Sequence, residues 1–324
     1  MNKTLQLASL ALAGLAISPL ALAQNYPVKP VKIIVNYTPG GPTDFVARTV
    51  GGKMGEILGQ SFVVENVPSA NGTIGTQQAG RAAPDGYTIL FTTAGHTAVA
   101  LALFGEKVGF DPFKDITPIT KLVDSTQMIV AHPSLGVKSI PELVKLAKSK
   151  PGQLNYGSVG VGSSNHLGIA LLNIMAGTEM LHIPYKGTAP VMADLMAGRV
   201  QLMLNSMGTI IPHVRSGKLV GLAVGTLTRS PAAPDIPTMD ELGYKGYQVS
   251  TWYAFFAPAK TPAPIINRLN AVAGQVLRED AMVKILTPQG FEATPTTPEA
   301  IGRQMREDYE RWKKVIADAK IVPE

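Results

Sequence analysis

The fold is decided by the stretch Tyr37-Thr38-Pro39-Gly40-Gly41-Pro42-Thr43-Asp44, which joins an apolar, strand-like run at 31–35 to a segment with helical apolar spacing. Two glycines at such a turn let backbone N–H groups approach a ligand closely, and the positive end of the helix dipole points the same way. Thr43 and Asp44 are residue types that cap helix N-termini. This first glycine turn therefore predicts a strand–turn–helix unit that can receive a carboxylate without a cationic side chain.

The same pattern occurs again in the stretch Gly157-Ser158-Val159-Gly160-Val161-Gly162-Ser163-Ser164-Asn165-His166, which also follows a short strand-like run and precedes a helical one. A single turn of this kind is explained equally well as a tight strand-to-helix connection. Two of them, in what the pattern predicts to be separate α/β units, favour opposite walls of one cleft. We call this stretch the second glycine turn.

The N-terminus has the pattern of a secretory signal peptide. Lys3 precedes a largely apolar run at 7–22, and Ala21-Leu22-Ala23 matches a small-x-small cleavage site. A membrane anchor is less favoured, because Gly14, Ser18 and Pro19 interrupt an already short run. We therefore predict cleavage near Ala23, with residues 1–23 removed, and export to a bacterial periplasm.

Composition limits the kind of partner. The chain of 324 residues is 45% hydrophobic and has no cysteine, which predicts about two domains without disulfides. Its net charge of +6 becomes +5 after removal of Lys3, since 28 basic and 23 acidic residues remain. The basic residues are scattered, without an aromatic–basic stripe, so we expect no nucleic-acid binding.

Strand and helix patterns alternate along the chain, which predicts an α/β fold with a mainly parallel sheet flanked by helices in each of two lobes. The predicted first lobe is discontinuous, 24–122 plus 250–324, and the second is 123–249. In such sheets ligands bind beyond the carboxyl ends of the strands. Thr93 and His96 follow one predicted strand, and Asn205 follows another.

Motifs for chemical catalysis are missing from the sequence. Ser163, Ser164 and His166 sit side by side without a G-x-S-x-G elbow or an assignable carboxylate, so an exported hydrolase is the third-ranked hypothesis. The five histidines match no metal-ligand spacing, and the glycines at 157–162 do not have the dinucleotide spacing. We therefore predict no enzymatic activity, no cofactor and no metal.

A set of short motifs is distributed over nearly the whole mature chain. The motifs are Tyr26-Pro27, Tyr37-Thr38-Pro39-Gly40-Gly41-x-x-Asp44, Asn71-Gly72-x-x-Gly75, Pro84-Asp85-Gly86-Tyr87-Thr88, Leu154-Asn155-Tyr156-Gly157-Ser158, His182-Ile183-Pro184-Tyr185-Lys186-Gly187, Ala197-Gly198-x-Val200, and Ser230-Pro231 through Pro237-Thr238. Together they resemble the Bug family, the periplasmic solute-binding receptors of tripartite tricarboxylate transporters.

The resemblance implies a clamshell of two α/β lobes that closes on an anionic solute, with the two glycine turns gripping one carboxylate. Where the family usually has an acidic residue this chain has Asn205, which disfavours a cationic ligand group, and Thr38 stands where the family has an Ala-like residue. The predicted ligand-binding residues are Tyr37, Thr38, Gly41, Thr43, Asp44, Thr93, His96, Ser158, Ser163, Ser164, His166 and Asn205.

The leading hypothesis is a monomeric periplasmic receptor that captures a small organic carboxylate and delivers it to the membrane subunits of a tripartite transporter. Di- and tricarboxylates and aromatic carboxylates all remain open. The runner-up is a periplasmic carboxylate sensor that acts on a signalling partner, which the sequence does not distinguish from a transport receptor.

Overall fold

The computed structural model describes residues 26–69, 72–185 and 187–322. The predicted signal peptide lies outside this range. The described ranges contain strands and α-helices in near alternation. The strands are β1 (Val31–Val35), β2 (Phe62–Asn66), β3 (Thr88–Thr93), β4 (Ile116–Ala131), β5 (Asn155–Ser158), β6 (Leu181–Pro184), β7 (Leu202–Ser206), β8 (Val220–Val224), β9 (Ser250–Pro258) and β10 (Phe291–Ala293). The helices are α1 (Pro42–Leu58), α2 (Thr73–Gly80), α3 (Ala98–Phe104), α4 (Ile140–Ser149), α5 (Ser164–Ala176), α6 (Thr188–Met196), α7 (Met207–Arg215), α8 (Ala263–Leu277), α9 (Asp280–Leu286) and α10 (Pro298–Asp318).

The strand–turn–helix unit predicted around the first glycine turn forms β1 and α1. Gly41 is the N-cap residue of α1 and Pro42 occupies its first turn, where the missing N–H of proline costs nothing. The helix buries Val46, Val50 and Met54 against the first sheet. These contacts fix the start of the helix at the end of β1.

The strands form a mixed sheet that divides into two parallel groups. In the first lobe β2, β1 and β3 are parallel neighbours, and in the second lobe β6, β5 and β7 are parallel neighbours. The strands between and beside these groups, β9, β4, β8 and β10, pair antiparallel. The carboxyl ends of β1 and β3 therefore lie at the same edge of the first group. Those of β5 and β7 lie at the same edge of the second group.

Strand β4 is shared by both lobes. Up to Thr126 it pairs with β9, and from Gln127 onward it pairs with β7, with Gln127 opposite Ser206. The first pairing ends where Thr126 meets Ser250, at the start of β9. The polypeptide thus crosses between the lobes on two adjacent strands. The lobe boundaries at 122/123 and 249/250 stay a prediction.

Helix α10 connects the two hydrophobic cores. Its N-terminal half contributes Ile301 and Met305 to the first lobe, whereas Trp312 and Ile316 pack among residues of the second lobe. Asp308, near the middle of the helix, accepts a hydrogen bond of 2.7 Å from the indole N–H of Trp252 on β9. A helix read from sequence as part of the first lobe alone therefore contacts both.

Some elements differ from the sequence prediction. Pro112 and Pro118 favour an irregular stretch over 109–120. In the structure β4 nevertheless begins at Ile116, and its register shifts between Pro118 and Thr120, where the proline is accommodated. Helices α3, α7 and α9 were not predicted. His213, which the prolines at 212 and 231 would place in an irregular surface segment, belongs to α7. No helix in the described part of the chain combines the length and hydropathy that crossing a bilayer requires.

The buried bond between α10 and β9 should contribute measurably to stability. Asp308→Ala leaves the indole N–H of Trp252 and the guanidinium of Arg311 without their carboxylate acceptor. We expect the free energy of unfolding to fall by about 2–4 kcal/mol, measured by urea denaturation. Asp318→Ala, on the same helix, removes an exposed pair with Lys314 and should cost less than about 1 kcal/mol. Equal effects of the two substitutions would contradict this account of the helix contact.

Candidate functional site

A cavity of about 470 Å³ lies between the two glycine turns, and we call it the main cavity. Its floor is formed by the two crossing strands, since Gln127 of β4 and Ser250 and Thr251 of β9 line it. Seven of the twelve predicted ligand-binding residues lie on its walls: Tyr37, Thr43, Thr93, His96, Ser163, Ser164 and Asn205.

The other five predicted residues are not among those that line the main cavity. Thr38 is exposed, and Gly41 lines an adjoining side cavity of about 270 Å³. Asp44, Ser158 and His166 are buried and make hydrogen bonds that hold the turns. In this structure these three side chains hold the glycine turns, and their contact with a ligand stays a prediction.

The carboxylate of Asp44 is a fixed part of the first glycine turn. It accepts the N–H of Gly40 at 3.0 Å, the Nε of Arg48 at 2.9 Å and the Nδ2 of Asn66 at 2.9 Å. Burial raises the pKa of this carboxyl, but the hydrogen bonds from Arg48, Gly40 and Asn66 outweigh burial and keep the pKa below its usual value. Asp44 therefore consumes one of the amides that the sequence suggested for the ligand, and it stiffens the turn.

Two stacked histidines support the second glycine turn, one of them directly and the other through Ser158. The amide of Gly162 donates to Nδ1 of His166 at 3.1 Å, and the amide of Gly160 donates to Oγ of Ser158 at 3.1 Å. Oγ of Ser158 also lies 2.6 Å from Nε2 of His182. The imidazoles of His166 and His182 stack with centroids 3.7 Å apart and planes 4° from parallel. The turn is thus positioned before any ligand arrives.

All three histidines near the cleft are held neutral. Burial lowers the pKa of His96 to about 4 and that of His182 to about 4. Burial and the neighbouring His182 lower the pKa of His166 to about 3. Because Nδ1 of His166 accepts the Gly162 amide, its proton is on Nε2. None of these rings supplies a positive charge to the cleft near neutral pH.

His96 and Tyr37 form one side of the main cavity. Their rings stack with centroids 4.2 Å apart and planes 10° from parallel. The hydroxyl of Tyr37 lies 2.6 Å from Oγ1 of Thr93, and burial raises its pKa. This side therefore offers flat, neutral rings with polar edges, a surface that suits the body of an organic acid.

Four helices begin at the main cavity. The lining residues Pro42 and Thr43 begin α1, Ser164 begins α5 and Thr188 begins α6. Ser206, the N-cap of α7, and Thr209 in its first turn also line the cavity. Each helix N-terminus carries unpaired amides and about +0.5 of an elementary charge. None of the described residues that line this cavity is Lys, Arg, Asp or Glu. The positive potential there comes from backbone dipoles.

Two asparagines join the N-termini of α5 and α7. Nδ2 of Asn165 donates to the carbonyl oxygen of Leu204 and lies 3.4 Å from Oδ1 of Asn205. Oδ1 of Asn205 in turn accepts the N–H of Ser206 at 2.8 Å. Asn205 was predicted to contact ligand, and its oxygen is already used to orient the start of α7.

Sequence reasoning missed several lining residues. The polar ones are Gln127, Thr188, Ser206, Thr209, Ser250 and Thr251. The apolar ones, half of them on α3, are Val99, Ala100, Leu103, Phe104, Val159, Val161, Leu167 and Trp312. The Asn-Ser pair at the end of a predicted strand was a detectable signal for the α7 cap. The apolar residues carried no such signal, because their role depends on how distant helices pack.

The site combines helix N-termini with neutral hydroxyl, amide and aromatic groups, which suits the binding of an anion with an organic body. Ser158 and His182 are within hydrogen-bonding distance, but Ser158 is completely buried and its hydroxyl also contacts Gly160, so it cannot reach a substrate. Among the described residues, no group of three or more His, Cys, Asp or Glu could hold a metal ion.

Comparisons with known proteins agree on the kind of protein this chain resembles. Residues 46–321 match the model of the tripartite tricarboxylate transporter family receptor. Protein BugT from Bordetella pertussis is 32% identical over 319 residues, covering 98% of each chain.

Solved structures of similar proteins confirm the predicted two-lobed α/β fold. A Rhodopseudomonas palustris protein in complex with adipate, Rpa4515, superposes with a TM-score of 0.81 at 33% identity, covering 92% of this chain and all of that one. MatC from the same organism, with bound malate, gives a TM-score of 0.77 at 32% identity, covering 90% of this chain and all of that one.

Acid should destabilise the fold through the buried histidines. The unfolded chain takes up protons near the usual pKa of 6.5, whereas folded His96 does so only near 4, so stability is fully present above pH 6.5 and is lost as the pH falls towards 4. His96→Phe keeps the stacked ring and removes this titration. We expect the variant to lose less free energy of unfolding than wild type between about pH 7 and pH 5, by up to about 1.4 kcal/mol per pH unit. If urea denaturation shows the same loss of unfolding free energy in wild type and in His96→Phe, the acid sensitivity does not come from His96.

Proposed function

The chain belongs to the tripartite tricarboxylate transporter receptor family, and we propose that it captures an organic carboxylate in the main cavity and delivers it to the membrane subunits of such a transporter. The observation that carries the proposal is the convergence of four helix N-termini, from both lobes, on a cavity whose described lining residues carry no charge. Dipoles of this kind favour an anion, and they hold it without a fixed counter-ion.

The distribution of the helix starts supports closure around the ligand. Helix α1 belongs to the first lobe, and α5, α6 and α7 belong to the second. An acid held by both groups of N-termini bridges the lobes, so its binding favours the closed arrangement over the open one. A receptor whose closed form reports occupancy can be recognised selectively by a membrane partner.

Ligands seen in similar structures support a carboxylate as the class of ligand. The two similar structures above hold adipate and malate, which are both small carboxylates. A cavity of about 470 Å³ is within the range of small-molecule sites. The stacked rings of His96 and Tyr37 and the apolar lining residues of α3 suit an acid with a carbon chain or ring.

We infer that the mature chain works as a monomer in the periplasm and acts by binding, without chemical change of the ligand. The buried position of Ser158 and the hydrogen bonds made by the neutral His166 and His182 support binding over catalysis.

A carboxylate panel tests the function directly. The purified mature chain should be titrated by calorimetry and thermal shift against mono-, di- and tricarboxylates, including adipate and malate. A true ligand at about 100 times its Kd stabilises the fold by about 2.7 kcal/mol. A panel in which every acid leaves the melting temperature of folded protein unchanged would contradict carboxylate binding.

The hydroxyl at the start of α5 should contribute to affinity. Ser164 lies at the N-terminus of α5 and lines the main cavity, and its Oγ is 3.5 Å from Oγ1 of Thr251. Ser164→Ala removes one donor to the carboxylate and should weaken binding by about 1.5–3 kcal/mol, roughly 10-fold to 100-fold in Kd. Ser149→Ala, at the exposed end of α4, is the control and should bind like wild type. If Ser164→Ala also titrates like wild type, the carboxylate is not held at α5.

A further inference from the structure

Gln127 occupies a special position in the fold. It is the first residue of β4 that pairs with the second lobe, opposite Ser206, and the residue before it pairs with Ser250 of the first lobe. Its carbonyl oxygen accepts the N–H of Gly225 at 2.9 Å. The backbone is therefore held by strands on both sides, and the side chain enters the floor of the main cavity from a rigid support.

The side-chain amide of Gln127 is buried, and its oxygen has no hydrogen-bond donor. The residue is only 4% exposed, and within the described part of the chain its Oε1 has no hydrogen-bond partner. A buried carbonyl oxygen without a donor costs free energy, because it has left water and gained nothing in exchange. Such a group in a binding cavity is a strong indication that the ligand supplies the missing partner.

The two neighbouring side-chain amides each make hydrogen bonds within the protein. Asn165 donates to the Leu204 carbonyl, and Oδ1 of Asn205 accepts from Ser206. Of the three side-chain amides among the described lining residues, Gln127 is the one whose oxygen is buried without a hydrogen-bond partner. The nearby α7 N-terminus supplies donors, so the acceptor on Gln127 is the complementary element of the floor.

The required ligand group is a donor without a positive charge. An ionised carboxylate has no hydrogen to donate. An ammonium group would be buried without an acidic partner, since no Asp or Glu is found among the described lining residues. A hydroxyl group is neutral, donates one hydrogen and fits a cavity lined by other hydroxyls.

We propose that Gln127 recognises a hydroxyl group on the bound acid, so that the site prefers hydroxy acids to the same acids without that hydroxyl. This inference rests on the proposed function, because the carboxylate of the same molecule is held by the helix N-termini. Gln127 would then determine specificity within a class of ligands whose shared carboxylate determines affinity.

The test compares pairs of acids that differ by one hydroxyl: malate with succinate, 4-hydroxybenzoate with benzoate, and 6-hydroxyhexanoate with hexanoate. Wild type should bind the hydroxylated member of at least one pair roughly tenfold or more tightly. Gln127→Met, which keeps the length and volume of the side chain, should bring that ratio close to one. Gln153→Met, at an exposed position in the second lobe, is the matched control and should keep the wild-type ratio.

The ligand-free protein gives a second readout. Because Oε1 has no protein partner, its removal in Gln127→Met should leave the melting temperature unchanged or raise it. A clearly lowered melting temperature would mean that the amide serves the fold, and it would overturn the inference.

The remaining outcomes are also decisive. Acids that bind with equal affinity within every pair, or a ratio that survives in Gln127→Met, would overturn the role of Gln127 while leaving carboxylate binding intact. If Gln127→Met weakens adipate and leaves the hydroxyl ratios unchanged, the amide donates to a second carboxylate, and the inference is wrong. If no acid binds to any variant, the proposed function fails, and this inference fails with it.

Discussion

Amide groups at a buried helix N-terminus need acceptors, and this requirement shapes the whole cleft. Four helices begin at the main cavity, so their first-turn N–H groups are kept from bulk water without an intrahelical partner. The protein satisfies some of them internally and leaves others facing the cavity. The two parallel groups of the mixed sheet and the shared strand β4 together bring these termini to one place, where an anion completes the hydrogen bonding.

The internal acceptors set the shape of both glycine turns. Asp44 accepts the Gly40 amide, Ser158 the Gly160 amide and His166 the Gly162 amide. The side chains that hold the turns are therefore different from those that face the cavity. A pre-positioned turn loses less conformational entropy when the ligand arrives, which improves affinity without adding a contact.

Local pattern was sufficient for much of the fold and for part of the site. The strand–turn–helix units around Gly41 and Ser163 follow from apolar periodicity and turn residues, and both glycine turns line or border the cleft. Helix α7 was missed because Gly208 and Pro212 lower its helix propensity, and packing of its apolar face overrides that preference. Gln127 gave no signal, since it ends a run of four polar residues in β4 and only the pairing with strands far away in sequence distinguishes it from the other three.

The two-core packing of α10 has a practical use in sensor engineering. Asp308 ties the helix to β9, whereas Trp312 and Ile316 are embedded in the second lobe. Any opening of the lobes must bend this helix or slide it across one of its contacts. A fluorophore attached just beyond Asp318 would therefore convert capture of an acid into an optical signal, with no label inside the cleft.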